Sequence, residues 1–397
     1  MPSLAITLRP HRENPILRGS AWIFASSVAT VSDPSAPPGT PVLVHSADGR
    51  PLGSGLWNPL SDLRVRLLGC APDRAPDADS IRALVFSAVS ARHALHGAPS
   101  SWTDTTGWRM VFSEADGLSG VIADQFADVL SVQLASPVWV PWWPTLRDAL
   151  RDATSARLVT LRPSPATREP LDLSSLPSDT PPSPLWFRES GCEFLASPAD
   201  GQKTGFYLDQ RENRRRVASL ARGRRVLSAD CYTGAFEVLA GAAGAASVTG
   251  WDASAPALDA ARLHHERNHT PCPYSYEVAD VPTRLRLARD RGETWNLIIL
   301  DPPRLASSRA SVPRALRAYK DINLLALKLL APGGLLATFS CSGLVDAATF
   351  RQAVGWAARD SGRPVRLLTD FTQPDDHPRL PESPDCDYLK GLLLLVP

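Results

Sequence analysis

Three short motifs in the second half of the chain carry residue types that can do chemistry together. They are Lys203-Thr-Gly-Phe-Tyr-Leu-Asp-Gln-Arg-Glu-Asn-Arg214, Asp301-Pro302-Pro303 and Ser340-Cys341-Ser342. The last two each follow an apolar run that reads as a buried parallel strand, Trp295-Asn-Leu-Ile-Ile-Leu300 and Leu335-Leu-Ala-Thr-Phe339. In an open α/β sheet, reactive groups gather at the carboxyl ends of strands, in the crevice where strand order reverses. An acid and a thiol at two such tips point to an active site, with Asp301 and Cys341 as its reacting side chains. A thiolate is a covalent nucleophile, but a free thiol titrates near about 8.5 and apolar burial raises that further. Arg304 or Lys203 would supply a positive field. Cys231 is a rival thiol, set in a turn where its bulk matters more than its reactivity.

The elements that must hold these side chains alternate strand and helix after about residue 196, which implies right-handed crossovers and a mostly parallel sheet. Strands are predicted at Arg225–Ser228, Ser247–Trp251, Ser275–Val278, Trp295–Leu300, Leu335–Phe339 and Val365–Leu368. A closing apolar run, Gly391–Val396, suits a central strand. The first strand runs into Asp230-Cys-Tyr-Thr-Gly-Ala-Phe236 and then a helix, the place where backbone approaches a ligand closely. Gly234 stands alone there, so the G-x-G-x-x-G fingerprint of a pyrophosphate cradle is absent and NAD or FAD is disfavoured. Asp252 ends the second strand, where an acid can accept hydrogen bonds from ribose hydroxyls, and Asp280 ends the third, within reach of an adenine amino group. A nucleoside without a diphosphate, read by acids on successive tips, fits S-adenosylmethionine. Each aspartate taken singly reads equally as a helix cap or turn residue.

The 397 residues exceed one compact core and suggest two or three domains. At 44% hydrophobic and 21% charged the composition is that of an ordinary soluble chain. No apolar run reaches the roughly 18 residues that span a bilayer, and the start lacks a basic-then-apolar leader, so the expectation is a cytoplasmic protein with no membrane partner. Six cysteines without a C-x-x-C pair argue against zinc and against a disulfide framework. His264 and His265 are adjacent and face different ways on a helix, so no metal is expected.

Residues 1–75 read as short strands with turns, a small β-barrel-like module. Residues 76–195 mix a helix over Asp79–His96, a hairpin of Gly120–Asp124 and Val129–Gln133, a helix over Trp142–Leu150 and a strand at Arg157–Leu161. The Pro-, Ser- and Thr-rich stretch 163–184 is expected to be a disordered surface insertion. Residues 196–397 form the α/β domain. Seven arginines (Arg211, Arg214, Arg215, Arg216, Arg222, Arg224 and Arg225) border the expected cleft, and Arg9, His11, Arg12 and Arg18 form a second basic patch. They read as phosphate contacts or, competing with that, as a solvated helix face. Phe206, Tyr207 or Tyr232 would stack on a base splayed out of folded RNA.

These residues resemble the bacterial 23S ribosomal RNA cytosine-C5 methyltransferases. The resemblance rests on Lys203–Arg214, Tyr232-Thr-Gly234, Asp301–Pro303, Tyr319-Lys-Asp-Ile-Asn323, Thr338–Gly343 and Tyr388-Leu-Lys-Gly391, with Val111–Gly120 and Ser20–Phe24 matching nearer the start. It covers nearly the whole chain, excepting Pro163–Pro184. It implies an N-terminal PUA domain (1–75), a central α/β domain (76–195) and a Rossmann-like methyltransferase domain (196–397). It also implies S-adenosylmethionine as cofactor and large-subunit ribosomal RNA as partner; a homodimer is left open. Cys341 would be the nucleophile, with Asp301 bonded to the base. Tyr232, Thr233, Gly234, Asp252, Asp280, Asp301 and Pro302 would meet the cofactor. Lys203, Phe206, Tyr207, Gln210, Arg211 and Arg304 would meet the substrate. The chain departs from the family pattern at Ser228, where Asp or Asn is usual, at Ala235, where a second Gly is usual, and at Arg304, which replaces Lys. Two other readings stand beside this one: a guanine or adenine amino-group methyltransferase acting on RNA, and a catalytically silent RNA-binding assembly factor.

Overall fold

The computed structural model describes residues 4–164, 170–199, 201, 203–382 and 386–397. They fall into two compact units. The first comprises residues 1–188, 196–208 and 375–386; the second comprises 189–195, 209–374 and 387–397.

In the first unit, a six-stranded sheet runs in the order Trp22–Phe24, Leu63–Leu67, Pro51–Trp57, Pro41–His45, Leu4–Leu8, Val28–Val31. The period-two pattern of Leu4-Ala-Ile-Thr-Leu8 puts Leu4, Ile6 and Leu8 on one face, where they pack with Val42, Val44, Trp57 and Val65. A second sheet, Leu158–Pro163, Val129–Leu134, Val121–Phe126 and Gly107–Phe112, shares its core with helices Ala78–His96 and Trp143–Thr154.

The expected disordered insertion needs correction in its described part. Residues 170–182 form neither helix nor strand, yet Leu171, Leu173 and Leu176 pack on the core of the second sheet. Asp179 binds Arg147 (2.8 Å) and Arg151 (3.1 Å) and accepts from the Val159 amide (2.8 Å). Three leucines and one well-placed acid outweigh the Pro/Ser bias. Residues 165–169 lie outside the described residues.

The second unit holds a seven-stranded sheet. Numbered along the chain, its strands are β1 (Arg225–Ala229), β2 (Ser247–Asp252), β3 (Tyr274–Val278), β4 (Trp295–Leu300), β5 (Leu330–Ser340), β6 (Arg366–Thr372) and β7 (Lys390–Val396). The spatial order is β3-β2-β1-β4-β5-β7-β6. Neighbours from β3 to β5 are parallel, and β7 runs antiparallel to both β5 and β6. The closing apolar run is therefore inserted one place in from the edge, flanked on both sides, as its burial demands. The helices are α1 (Arg211–Ala218), α2 (Ala235–Ala242), α3 (Ala255–Asn268), α4 (Val281–Asp290), α5 (Val312–Leu329) and α6 (Ala347–Ser361). Strand order reverses between β1 and β4, which opens the crevice where an open sheet binds ligands. Among the described residues, no helix is long and apolar enough to cross a membrane.

Candidate active site

Five spatially consecutive parallel strands end in or just before a chemically capable side chain. Asp280 follows β3, Asp252 ends β2, Asp230 follows β1, Asp301 follows β4 and Cys341 follows β5. The β4 and β5 tips touch: Cys341 Sγ lies 4.0 Å from the Pro302 carbonyl oxygen. Cys341 is half-buried.

The Cys341 turn is fixed from three directions. Tyr319, buried on α5, places its hydroxyl 2.8 Å from Ser340 Oγ and 3.1 Å from Ser342 Oγ. The Ala306 amide donates to Ser342 Oγ (3.3 Å). Lys390, which opens β7, donates from Nζ to the carbonyls of Ser342 (2.8 Å) and Val345 (2.6 Å). The Tyr319–Asn323 motif is explained locally, since Asn323 Nδ2 caps the Tyr319 carbonyl one helical turn away (2.8 Å). Asp301 accepts from Gln210 Nε2 (3.0 Å), whose own oxygen accepts from Asn213 (2.6 Å). Gln210 and Asn213 are buried, and the bond from Gln210 orients the acid.

The turn after β1 is tight. Asp230, Tyr232 and Gly234 have φ of 62°, 49° and 74°, conformations that cost side-chain-bearing residues about 1–3 kcal/mol each and cluster at binding sites. The turn is anchored by Asp252, which accepts from the Tyr232 amide and the Ser254 amide, both at 2.8 Å. A Cβ on Gly234 would lie 2.5 Å from Tyr276 Oη and 2.7 Å from Ala261 Cβ, so glycine is obligatory. Ala235 begins α2, where no left-handed backbone is needed, so this departure from the family pattern costs no strain. Below the turn, His264 Nε2 accepts from the Leu195 amide (2.8 Å), which leaves the proton on Nδ1 to be donated to the Thr233 carbonyl (2.8 Å). Burial pushes this imidazole down to about 4, so it stays neutral.

Two acids here, one half-buried and one buried, escaped sequence reasoning. Burial, then the charges of Asp252, Asp301 and Asp280, push Asp230 up to about 7. Burial pushes Glu237, wholly enclosed in the first turn of α2, up to about 8. Neither residue matches a motif; the signal for Asp230 was its place one residue beyond a strand. Asp280 is exposed and caps α4 by accepting from the Thr283 amide (3.1 Å), the plainer of its two readings. Cys231 is buried and its thiol is pushed well up, first by burial and then by Glu237, which disfavours it as the rival nucleophile.

The arginine run divides between architecture and exposed surface. Arg211 and Arg214 are buried, and Arg214 grips Glu189 through two bonds of 2.6 Å. Arg224 donates to the carbonyls of Asn296 (3.3 Å) and Gly333 (3.2 Å), and Arg225 to Thr294 (3.0 Å). Arg215, Arg216, Arg222 and Arg225 are exposed. Arg304 is exposed and turns its Nε to the Ala306 carbonyl (2.9 Å). Lys203, Phe206 and Tyr207 belong to the first unit. Phe206 is buried edge-on to Phe187 with ring centroids 4.9 Å apart, so it cannot stack on a base, and Lys203 Nζ sits 4.1 Å from the Tyr207 ring centre.

Residues 6–69 match the PUA-like domain, and residues 175–394, more than half of the chain, match the S-adenosylmethionine-dependent methyltransferase family. The chain belongs to that family. Over 99% of its length it is 37% identical to the ribosomal RNA large subunit methyltransferase I of Shewanella denitrificans and 38% identical to that of Shewanella amazonensis, each matched over its full length. A Streptococcus mutans protein described as an S-adenosylmethionine-dependent methyltransferase has the same fold, at a TM-score of 0.82 and 20% identity, with 99% of this chain and 100% of that one covered.

The methyltransferase's own residues fit this cofactor. Acids stand at or just beyond four adjacent strand tips, with the raised Asp230 among them, a setting that favours a ligand carrying ribose hydroxyls and positive charge.

Proposed function

We propose that this methyltransferase transfers a methyl group from S-adenosylmethionine to C5 of a cytosine in large-subunit ribosomal RNA through a covalent adduct on Cys341. The observation that carries this reading is the pairing of Cys341 and Asp301 on adjacent tips, with Sγ 4.0 Å from the Pro302 carbonyl. The ribosomal RNA substrate is supported by the two Shewanella relatives, which are ribosomal RNA large subunit methyltransferases matched over their full length. The PUA-like region 1–75 is assigned to RNA binding, 76–195 to a central α/β domain and 196–397 to the catalytic domain. Tyr232, Thr233, Gly234, Asp252, Asp280 and Pro302 are assigned to the cofactor's surroundings, and Arg304 to the RNA.

The cofactor supplies an electrophilic methyl on a positively charged sulfur. Cytosine C5 is a poor nucleophile until the Cys341 thiolate adds to C6, forming an S–C6 bond and moving the C5–C6 π pair to C5. That pair would take the methyl as its bond to the cofactor's sulfur breaks and leaves a neutral thioether, and Asp301, held by Gln210 and carrying a proton, would donate to N3 as negative charge develops on the ring. Loss of the C5 proton to a base then returns the electrons, breaks the S–C6 bond and frees the thiol. The acid–thiol pairing favours this reading over exocyclic-amine transfer, which has no use for a thiol. Mass-spectrometric mapping of ribosomal RNA from cells with and without the gene tests it; the expected result is one 5-methylcytosine lost from the large-subunit RNA. Loss of a methylated amino group instead would replace it.

The raised Asp230 gives a pH signature to cofactor binding. A positively charged ligand favours its ionised form, so binding below about pH 7 must expel a proton. Affinity should therefore fall about tenfold per pH unit below 7 and level off above it, whereas Asp230→Asn should flatten the curve. Titration calorimetry in buffers of different ionisation enthalpy reads the proton directly.

Gly234→Val should abolish measurable cofactor binding while the rest of the sheet stays folded, because its Cβ has no space and its φ is left-handed. Calorimetry paired with a melting curve checks this.

A further inference from the structure

We propose that Lys390 is the positioning residue that holds the Cys341 turn and supplies the positive charge under which its thiol ionises. The proposal rests on the reading of Cys341 as nucleophile.

Lys390 stands directly across the antiparallel β5–β7 ladder from Ser340, the residue before the thiol. Its side chain is buried, and its ammonium donates to the carbonyls of Ser342 and Val345, on the far side of Cys341. The lysine backbone is thus paired before the sulfur, and its charge is tied to the backbone just after it. The groups facing it are few. Asp346 caps α6 by accepting from the Thr349 amide (2.7 Å), Asp387 precedes it on the strand entry, and the Tyr319 hydroxyl is occupied by Ser340 and Ser342. No described carboxylate is within ion-pair distance of Nζ. A buried ammonium is costly without anions near it; Asp387 and Asp346 favour it, and a thiolate at position 341 would add to them. Burial lowers the ammonium's pKa, while Asp387, Cys341 and Asp346 raise it, so the same interaction acts on both partners.

Of the other cations named for the positive field, Arg304 is exposed and directed at the Ala306 carbonyl. Lowered thiol pKa values elsewhere follow the same physics, a nearby cation or helix end.

The test uses the full chain, without RNA or cofactor. The rate of Cys341 alkylation by iodoacetamide is followed from pH 5 to 10 by peptide mass mapping, which separates it from Cys70, the other half-buried thiol. The wild type should show a midpoint below the ordinary thiol value of about 8.5. Lys390→Met should raise that midpoint by at least about one unit, a tenfold slower reaction at pH 7. Lys390→Arg, which keeps the charge, should recover most of it. A wild-type midpoint at or above about 8.5 overturns the proposal even if Lys390→Met fails to fold. So does an unshifted midpoint in a folded Lys390→Met protein, which would leave the lysine a purely structural tie. Survival of methylation in Cys341→Ala would instead remove the proposed function, and this titration would be unaffected by it.

Discussion

Cys341→Ala should lower 5-methylcytosine formation by more than about a thousandfold, the scale on which deletion of a covalent nucleophile acts. Cofactor affinity should hardly change, because the thiol follows β5 whereas the cofactor turn follows β1. Cys341 contributes no core packing of consequence: it is half-buried, and its turn is held by Tyr319, Ala306 and Lys390 through neighbouring atoms. The melting temperature should therefore stay near that of the wild type. A single-turnover methylation assay on large-subunit RNA, run beside calorimetry with S-adenosylmethionine, separates the outcomes. Full activity in the variant would return the choice to amino-group transfer. No cofactor binding even in the wild type would favour the silent assembly factor.

Arg214→Met should cost about 3–5 kcal/mol of stability, because it strands the Glu189 carboxylate, fully buried, without its two charged hydrogen bonds. Replacing both partners with apolar residues, Arg214→Met with Glu189→Leu, should restore most of that loss, since well-packed hydrophobic side chains commonly substitute for a buried ion pair at little cost. Denaturant unfolding measures both. The pair of variants also decides what the arginine is for. A phosphate-binding arginine would weaken RNA affinity and its salt dependence and leave stability alone. Here the reverse is expected.

That arginine run shows where sequence reading stops. Spacing on a helix tells which residues share a face, but it does not tell which face meets the sheet. Seven basic residues beside a predicted cleft look like a phosphate track until Glu189, more than twenty residues upstream, pairs with one of them. Phe206 follows the same rule: an aromatic ring beside an active-site motif is equally a base-stacking surface or a core residue, and packing against Phe187 made it core. Asp230 shows the converse. Nothing in its identity marks it, and its raised pKa exists only because three further acids end neighbouring strands.

The departures at Ser228 and Ala235 also divide on tertiary grounds. Ala235 is harmless because Gly234 carries the left-handed backbone alone. Ser228 is buried beside Glu237, whose carboxyl is neutral at pH 7, so a polar pair lies beneath the turn.

Sequence alone determined the alternation of strand and helix, the placement of Asp252, Asp301 and Cys341 at strand ends and the absence of a dinucleotide cradle. These follow from periodicity and from local backbone rules, which act over a few residues. Only the tertiary structure decided which strand lies beside which, and hence that the acid and the thiol are neighbours and that Lys390, some fifty residues past Cys341, lies beneath it. Strand order and burial are set by long-range packing, and electrostatics in the crevice inherits from both.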